Sequence, residues 1–324
     1  MTDANQLLST LRTASDGSAV LIVVADMFRD AGIHFGHGTA NADDEAAWLV
    51  ATLAGVDYSA ADWPQAFERM LQAPLGDDVL AAVTSTAIAR VTSRQPLAYL
   101  LGEAWFAGHR FFVNEHVLVP RSPIAELIAC AFAPWLDASQ VSRVLDIGTG
   151  SGCIAIATAL ALPHVSVDAS DVSPQALDCA ERNVAQYGLQ SRVRVLASDV
   201  FSSLAANTYD LIVTNPPYVD AAEMAARPVE YRHEPTLGLA AGNDGLSIAH
   251  RLLADAPDYL NDGGYLILEV GASHEALQRE YPQVPFMWLS FSSDAEGVTI
   301  MDKNTLIEHH ALFASRAQGE HNVR

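Results

Sequence analysis

Apolar residues recur at three- and four-residue spacing through the first 95 positions, the period of helices that bury one face. The pattern predicts helices over Val20–Ala31, Asp43–Leu53, Trp63–Leu71 and Asp77–Thr92, with aspartates where several of them begin. From Pro96 to Val119 the texture changes to aromatic and β-branched runs: Tyr99-Leu100-Leu101, Trp105-Phe106, Arg110–Val113 and His116–Val119. Gly108 and Asn114 fall where turns are needed, so a β-hairpin linking two domains is expected. Beyond Pro120 short apolar strands alternate with helical stretches, the mark of a parallel α/β sheet. Strands are expected at Arg143–Ile147, Ser166–Ser170, Val193–Ala197, Leu211–Thr214 and Tyr265–Val270, and helices at Gly152–Ala161, Ser173–Tyr187 and Gly245–Leu260. The last runs, Pro285–Phe291 and Gly297–Asp302, read as a hairpin, which predicts an antiparallel strand at the edge of the sheet. An ordinary dinucleotide-binding sheet does not end this way. The layout expected is a helical domain over 1–95, a hairpin linker over 96–120 and an α/β domain over 121–324.

Composition narrows the chemistry. Half of the 324 residues are apolar, enough for a sizeable core. Lys plus Arg number 18 against 39 Asp plus Glu, a net charge of −21, and Lys303 is the single lysine. Phosphate contacts need clustered cations, so direct nucleic-acid readout is not expected. The acidity either serves solubility or complements a basic protein partner. Cys130, Cys153 and Cys179 are too scattered for a disulfide framework or a zinc site and fit a reducing cytoplasm. No apolar run is long enough to span a bilayer, and Met1-Thr2-Asp3 lacks the basic start of a secretion signal. His34 and His37 share a glycine-rich loop without a third ligand nearby, so no metal is expected.

Two segments carry candidate chemistry. In Val144-Leu145-Asp146-Ile147-Gly148-Thr149-Gly150-Ser151-Gly152 an apolar strand runs into a glycine turn and then a helix. Glycines let backbone approach a ligand and aim helix-terminal N–H groups at it. Asp171 closes the next strand, where a carboxylate accepts both hydroxyls of a ribose; the helix cap that it might otherwise supply is already filled by Ser173 before Pro174. Cys153 stands where a dinucleotide fingerprint has its third glycine; in place of a pyrophosphate, Asp146 could meet the amino end of an amino-acid-bearing nucleoside. This resembles the first motif of class I S-adenosylmethionine-dependent methyltransferases. That resemblance implies a Rossmann-like sheet and places Asp199 at the adenine amino group with Phe201 against the ring, although Asp199 equally reads as a helix cap.

The most specific segment is Asn215-Pro216-Pro217-Tyr218, directly after the strand Leu211–Thr214. Two prolines fix φ twice and remove two donors, leaving the Asn215 side chain and the Pro216 carbonyl as acceptors on a stiff loop. Such a pair suits the two N–H groups of a substrate –NH₂, and Tyr218 can stack on the planar group that carries it. Positioning rather than a strong base should carry the rate.

The motif serves amines of adenine, cytosine and guanine as well as glutamine amides. The rest of the chain, above all Val117–Arg121 followed by Ser122-Pro123-Ile124-Ala125-Glu126, then Glu234-Pro235, Ala241–Leu246 and Glu269-Val270-Gly271, resembles the protein N5-glutamine methyltransferase family. The resemblance implies S-adenosylmethionine as cofactor, a helical domain that recognises substrate, and a glutamine pocket lined by Val117–Arg121 with Pro120 and Arg121 in it. On the residues alone, Val117–Val119 read equally as strand core, and Arg121 as a partner either for an acid of its own domain or for the substrate. Ser122-Pro123-Ile124 departs from the Pro-Arg-Pro-x-Thr-Glu usual in the release-factor branch. Together with Gly36–Thr39 and Val284–Leu289 it is similar to the branch acting on large-subunit ribosomal protein L-3, a basic partner. The alternatives are a release-factor enzyme and a non-catalytic cofactor-binding assembly factor.

Overall fold

The computed structural model describes residues 4–204, 207–239, 245–292 and 294–321; residues 241–244 of the Ala241–Leu246 stretch lie outside them. The chain divides into two compact units, Met1–Asn114 with Pro228–His233, and Glu115–Arg227 with Glu234–Arg324.

The first unit contains helices Ala4–Arg12, Gly17–Asp30, Ala42–Leu53, Trp63–Gln72, Asp77–Ser93 and Leu97–Leu101. Their starts follow local chemistry. Asp16 accepts the Ala19 N–H at 3.0 Å and Asn41 that of Asp44 at 2.9 Å, satisfying donors that no helical turn reaches. Tyr99-Leu100-Leu101, expected in the β-rich stretch, instead closes a helical turn ended by Gly102 at φ 70°. Strands β1 (Glu103–Phe106) and β2 (His109–Phe112) pair antiparallel around Ala107 and Gly108, whose φ of 48° and 78° match the right-handed twist of a hairpin. This hairpin falls inside the first unit. Inside the helices lies Arg90, fully buried, bonded to Glu45 at 2.6 Å and to the His34 carbonyl at 3.1 Å. Glu230, also buried, accepts the His34 N–H at 3.0 Å and pairs with Arg94 at 2.7 Å. Buried charges persist only when paired, so this network fixes the returning segment 228–233 within the unit. Its neighbour Tyr231 packs its ring against His37 at 4.4 Å. Among the described residues no cluster of His, Cys, Asp or Glu is set to hold a metal.

The second unit is built on β3 (Arg143–Ile147), β4 (Ser166–Asp171), β5 (Val193–Ala197), β6 (Tyr209–Thr214), β7 (Leu260–Glu269), β8 (Met287–Trp288) and β9 (Val298–Asp302). They form one sheet in the order β5-β4-β3-β6-β7-β9-β8. β3 to β7 are parallel, and β9 runs antiparallel to β7 with the two-residue β8 outside it. The long apolar runs of β3, β6 and β7 are buried throughout their centres, as parallel strands require. Helices Cys153–Ala161, Pro174–Gln186 and Ser247–Tyr259 make the crossovers, and a core including Leu145, Ile212, Leu252, Leu266, Leu306 and Phe313 lies around them. His116–Val119 forms no strand: Val117 and Val119 are buried with Leu118 between them less so, but the Val119 N–H donates to the Glu234 carboxylate at 3.1 Å. The alternation of a strand is present without a neighbouring strand to pair with. Among the described residues no helix is long and apolar enough to cross a membrane.

Candidate active site

Strand order reverses between β3 and β6, since β4 and β5 build away on one side and β7 on the other. Ligands of open α/β sheets settle in the crevice at such a switch point, at the carboxyl ends of the strands. Both sequence motifs meet there. The turn Gly148–Gly152 follows β3 and Asn215–Tyr218 follows β6; a Cβ on Gly148 would stand 4.0 Å from the Asn215 carbonyl oxygen. Gly148, Gly150 and Gly152 have φ of 70°, 56° and 80°, values that side chains resist, which is why this turn is written in glycine.

Two carboxylates shape the turn. Asp146 is buried, and its Oδ2 accepts the Thr149 hydroxyl at 2.6 Å and the Ala155 N–H at 3.1 Å, tying strand to helix start. Its Oδ1 is buried with no hydrogen-bond partner. Burial pushes the Asp146 carboxyl up to about 7. Asp171, at the end of β4, accepts the Gly150 N–H and the Ser173 N–H, each at 2.9 Å, and burial raises it also, despite those bonds. Thr149 and Ser151 are themselves buried, at 4% and 2% exposure, and the Thr149 hydroxyl is already given to Asp146. Farther along, Asp199 is half exposed and pairs with Arg251 at 2.8 Å. Phe201 is buried and stacked on Tyr259, with ring centroids 4.4 Å apart and planes 17° apart, so at least one face of its ring is occupied within the core. Between them Val200 has φ 51°, a left-handed conformation that costs a β-branched residue about 1–2 kcal/mol. The Ser198 hydroxyl holds it by donating to the Val200 carbonyl at 2.8 Å while accepting the Ser203 N–H at 3.1 Å.

At Asn215–Tyr218, Pro216 is buried while Asn215 and Pro217 are partly exposed. Tyr218 is gripped. Its hydroxyl donates to Glu269 Oε1 at 3.3 Å, its carbonyl accepts the Ser273 hydroxyl at 2.9 Å, and its ring lies so close to Gly271 that a Cβ there would meet Cε2 at 2.5 Å. Glu269 Oε2 accepts the Ser122 hydroxyl at 2.5 Å. The Glu-Val-Gly segment, noted in the sequence only as a family marker, therefore acts on the loop. The one signal for Glu269 was a carboxylate at the end of the apolar run Leu266–Leu268, where burial demands a partner. Arg121 pairs with Glu234 through two bonds of 2.6 Å, and Glu234 is buried. An acid of its own unit is thus one partner of Arg121. Pro120, beside it, is buried.

The methyltransferase small domain family matches residues 129–230. The ribosomal protein uL3 glutamine methyltransferase of Bordetella pertussis is 46% identical over 277 residues, 85% of this chain and 91% of that protein. Its namesake in Xylella fastidiosa strain 9a5c is 45% identical over 293 residues, 90% and 92% of the two chains. A solved structure of the hMettl16 catalytic domain, in complex with the MAT2A 3′UTR hairpin 6, is 18% identical, covering 67% of this chain and 80% of that one with a TM-score of 0.48.

Proposed function

Since the chain belongs to the ribosomal protein uL3 glutamine methyltransferases, we propose that it methylates the side-chain amide of a glutamine in uL3, using S-adenosylmethionine. The observation that carries the reading is the Asn215–Tyr218 loop set beside the Gly148–Gly152 turn at the switch point of the sheet. The cofactor fits the residues present: the turn is open to close backbone approach at Gly150, and the partnerless buried Oδ1 of Asp146 is an unspent acceptor suited to a cation. Asp146, Gly148, Thr149, Gly150, Ser151 and Gly152 would hold its amino-acid part, Asp171 its ribose, and Asp199 its base. Phe201 then serves by fixing, through its stack on Tyr259, the strained turn that presents Asp199. When bound, S-adenosylmethionine supplies an electrophilic methyl group.

The chain's own task is the nucleophile. An amide nitrogen attacks poorly because its lone pair is delocalised into the carbonyl. The Asn215 side-chain oxygen and the Pro216 carbonyl accept its two N–H groups, orient the nitrogen and enrich its electron density. Pro217 and Tyr218 wall the planar amide, and the stiffness of two successive prolines means that little order has to be imposed when substrate arrives. Pro120 and Arg121 act by holding the edge of the pocket, Arg121 through Glu234. The helical unit recognises the protein substrate. That substrate is basic and is recognised as protein rather than as nucleic acid; the −21 charge, spread as −8 over residues 1–120 and −13 over the rest, favours such a partner.

The deciding experiment incubates the protein with unmethylated uL3 and, in parallel, with release factors, and looks by mass spectrometry for one added methyl on a glutamine peptide. Methylation of uL3 is expected; methylation of release factors alone overturns the substrate. An Asn215→Ala variant that binds cofactor and uL3 but does not turn over separates enzyme from mere binding protein.

A further inference from the structure

Tyr218 is held at its hydroxyl, its carbonyl and its ring by the end of β7 and the turn behind it. Glu269 is the hub: one carboxylate oxygen takes the Tyr218 hydroxyl at 3.3 Å and the other the Ser122 hydroxyl at 2.5 Å. The Ser122 oxygen also accepts the Ile124 N–H at 3.2 Å, which fixes its direction. A carboxylate at 2% exposure is costly to keep in a sheet where an aliphatic residue would pack more cheaply. The Arg121 guanidinium, whose charge favours the ionised carboxylate, is bonded to Glu234 instead, and burial still leaves Glu269 pushed up to about 7. Such an expense at the rim of a site marks a group retained for the reaction. Only Pro216 and Pro217, both with fixed φ, separate Tyr218 from Asn215, so restraint at Tyr218 reaches the acceptor pair. Ser122 is also the first position at which the chain departs from Pro-Arg-Pro-x-Thr-Glu.

We propose that Glu269, with Ser122 as its partner, is a positioning residue of the methyl transfer: by holding the Tyr218 hydroxyl it sets the Asn215 and Pro216 acceptors against the incoming amide. The inference rests on the function proposed above. Glu269 touches neither substrate nor cofactor; it acts through Tyr218.

The test is a double-variant cycle on the full chain with uL3. Glu269→Leu removes both acceptors, and Tyr218→Phe deletes the hydroxyl. Each is expected to lower kcat by about 10–100-fold, the scale of a misplaced acceptor, with KM for uL3 and cofactor affinity by calorimetry within about threefold. Because both remove the same bond, the double variant is expected to be about as slow as the slower single one rather than the product of the two. Ser122→Ala should slow turnover and Ser122→Thr, which retains the hydroxyl, should restore most of it. Additive effects, or an unchanged kcat in Glu269→Leu, overturn the inference; so does a loss of kcat matched by equal losses of cofactor binding and thermal stability, which would mark a purely structural acid. A wild-type chain that leaves uL3 unmethylated strikes the proposed function instead, and is read separately.

Discussion

Gly271→Ala puts one methyl group where the structure has no room for it. At φ 47° alanine meets about 1 kcal/mol of left-handed backbone strain. Its Cβ would lie 2.5, 2.7 and 3.1 Å from Cε2, Cζ and Cδ2 of Tyr218, so the ring has to retreat by about 1 Å to reach ordinary contact. Retreat is opposed at both ends: the hydroxyl is bonded to Glu269, the carbonyl to Ser273, and the next N–H, of Val219, to the Leu239 carbonyl at 2.9 Å. Overpacking of this kind costs about 1–3 kcal/mol, which with the strain makes about 2–4 kcal/mol. The fold can yield the loop and keep its stability, or keep the loop and lose stability. We expect mostly the first, since three hydrogen bonds are softer than a sheet. A displacement of about 1 Å then costs on the order of a hundredfold in turnover. The assay pairs steady-state methylation of uL3 with calorimetric titration of S-adenosylmethionine and a thermal melt. The expected result is a large fall in kcat, cofactor affinity within about threefold and a melting temperature lowered by a few degrees. Turnover within about threefold of wild type together with an unchanged melt would refute the contact and the role given to Glu269-Val270-Gly271.

Three further outcomes follow from the same geometry. Asp171→Asn replaces an acceptor by an –NH₂ that faces the Gly150 or the Ser173 N–H; a buried mismatch of about 1–3 kcal/mol should weaken cofactor binding about 10–100-fold in calorimetry, and unaltered affinity sinks the role of Asp171. Burial pushes Asp146 and Glu269 up to about 7, so between about pH 5 and 7 the folded chain holds protons that the unfolded chain has released. Stability from these groups therefore falls as pH rises through that window, and Asp146→Asn should flatten the fall by up to ~1.4 kcal/mol per pH unit in urea unfolding at pH 5 and 7; a slope equal to that of wild type counts against the burial argument. Finally, kcat/KM for intact uL3 should drop about tenfold or more as salt rises towards 0.3 M, while a short neutral glutamine peptide stays flat. Equal salt responses would return the −21 charge to a matter of solubility.

Much of the molecule was legible before its structure, and for local reasons. The period of apolar residues located β3 and β6 to within two residues, because a parallel strand buried on both faces has to be an apolar run and its turns have to be polar or glycine. Gly148–Gly152 and Asn215–Tyr218 were readable because their chemistry lies in the backbone that glycine and proline dictate. Where a segment's partner was distant, the reading failed. His116–Val119 has a strand's alternation and no strand beside it; its hydrogen bond goes to Glu234, 115 residues away from Val119. Tyr99-Leu100-Leu101 has β-forming texture and closes a helical turn. The sequence by itself determined an α/β sheet with a glycine turn after one strand and a stiff, acceptor-bearing proline loop after another; a nucleotide-like cofactor and an amide as the groups served there are what the family resemblance implies. Only the tertiary structure decided that Ser122, Tyr218 and Glu269 form one device and that Arg121 is taken by Glu234, because what a buried charge does depends on the neighbour that compensates it, and no spacing along the chain records that neighbour.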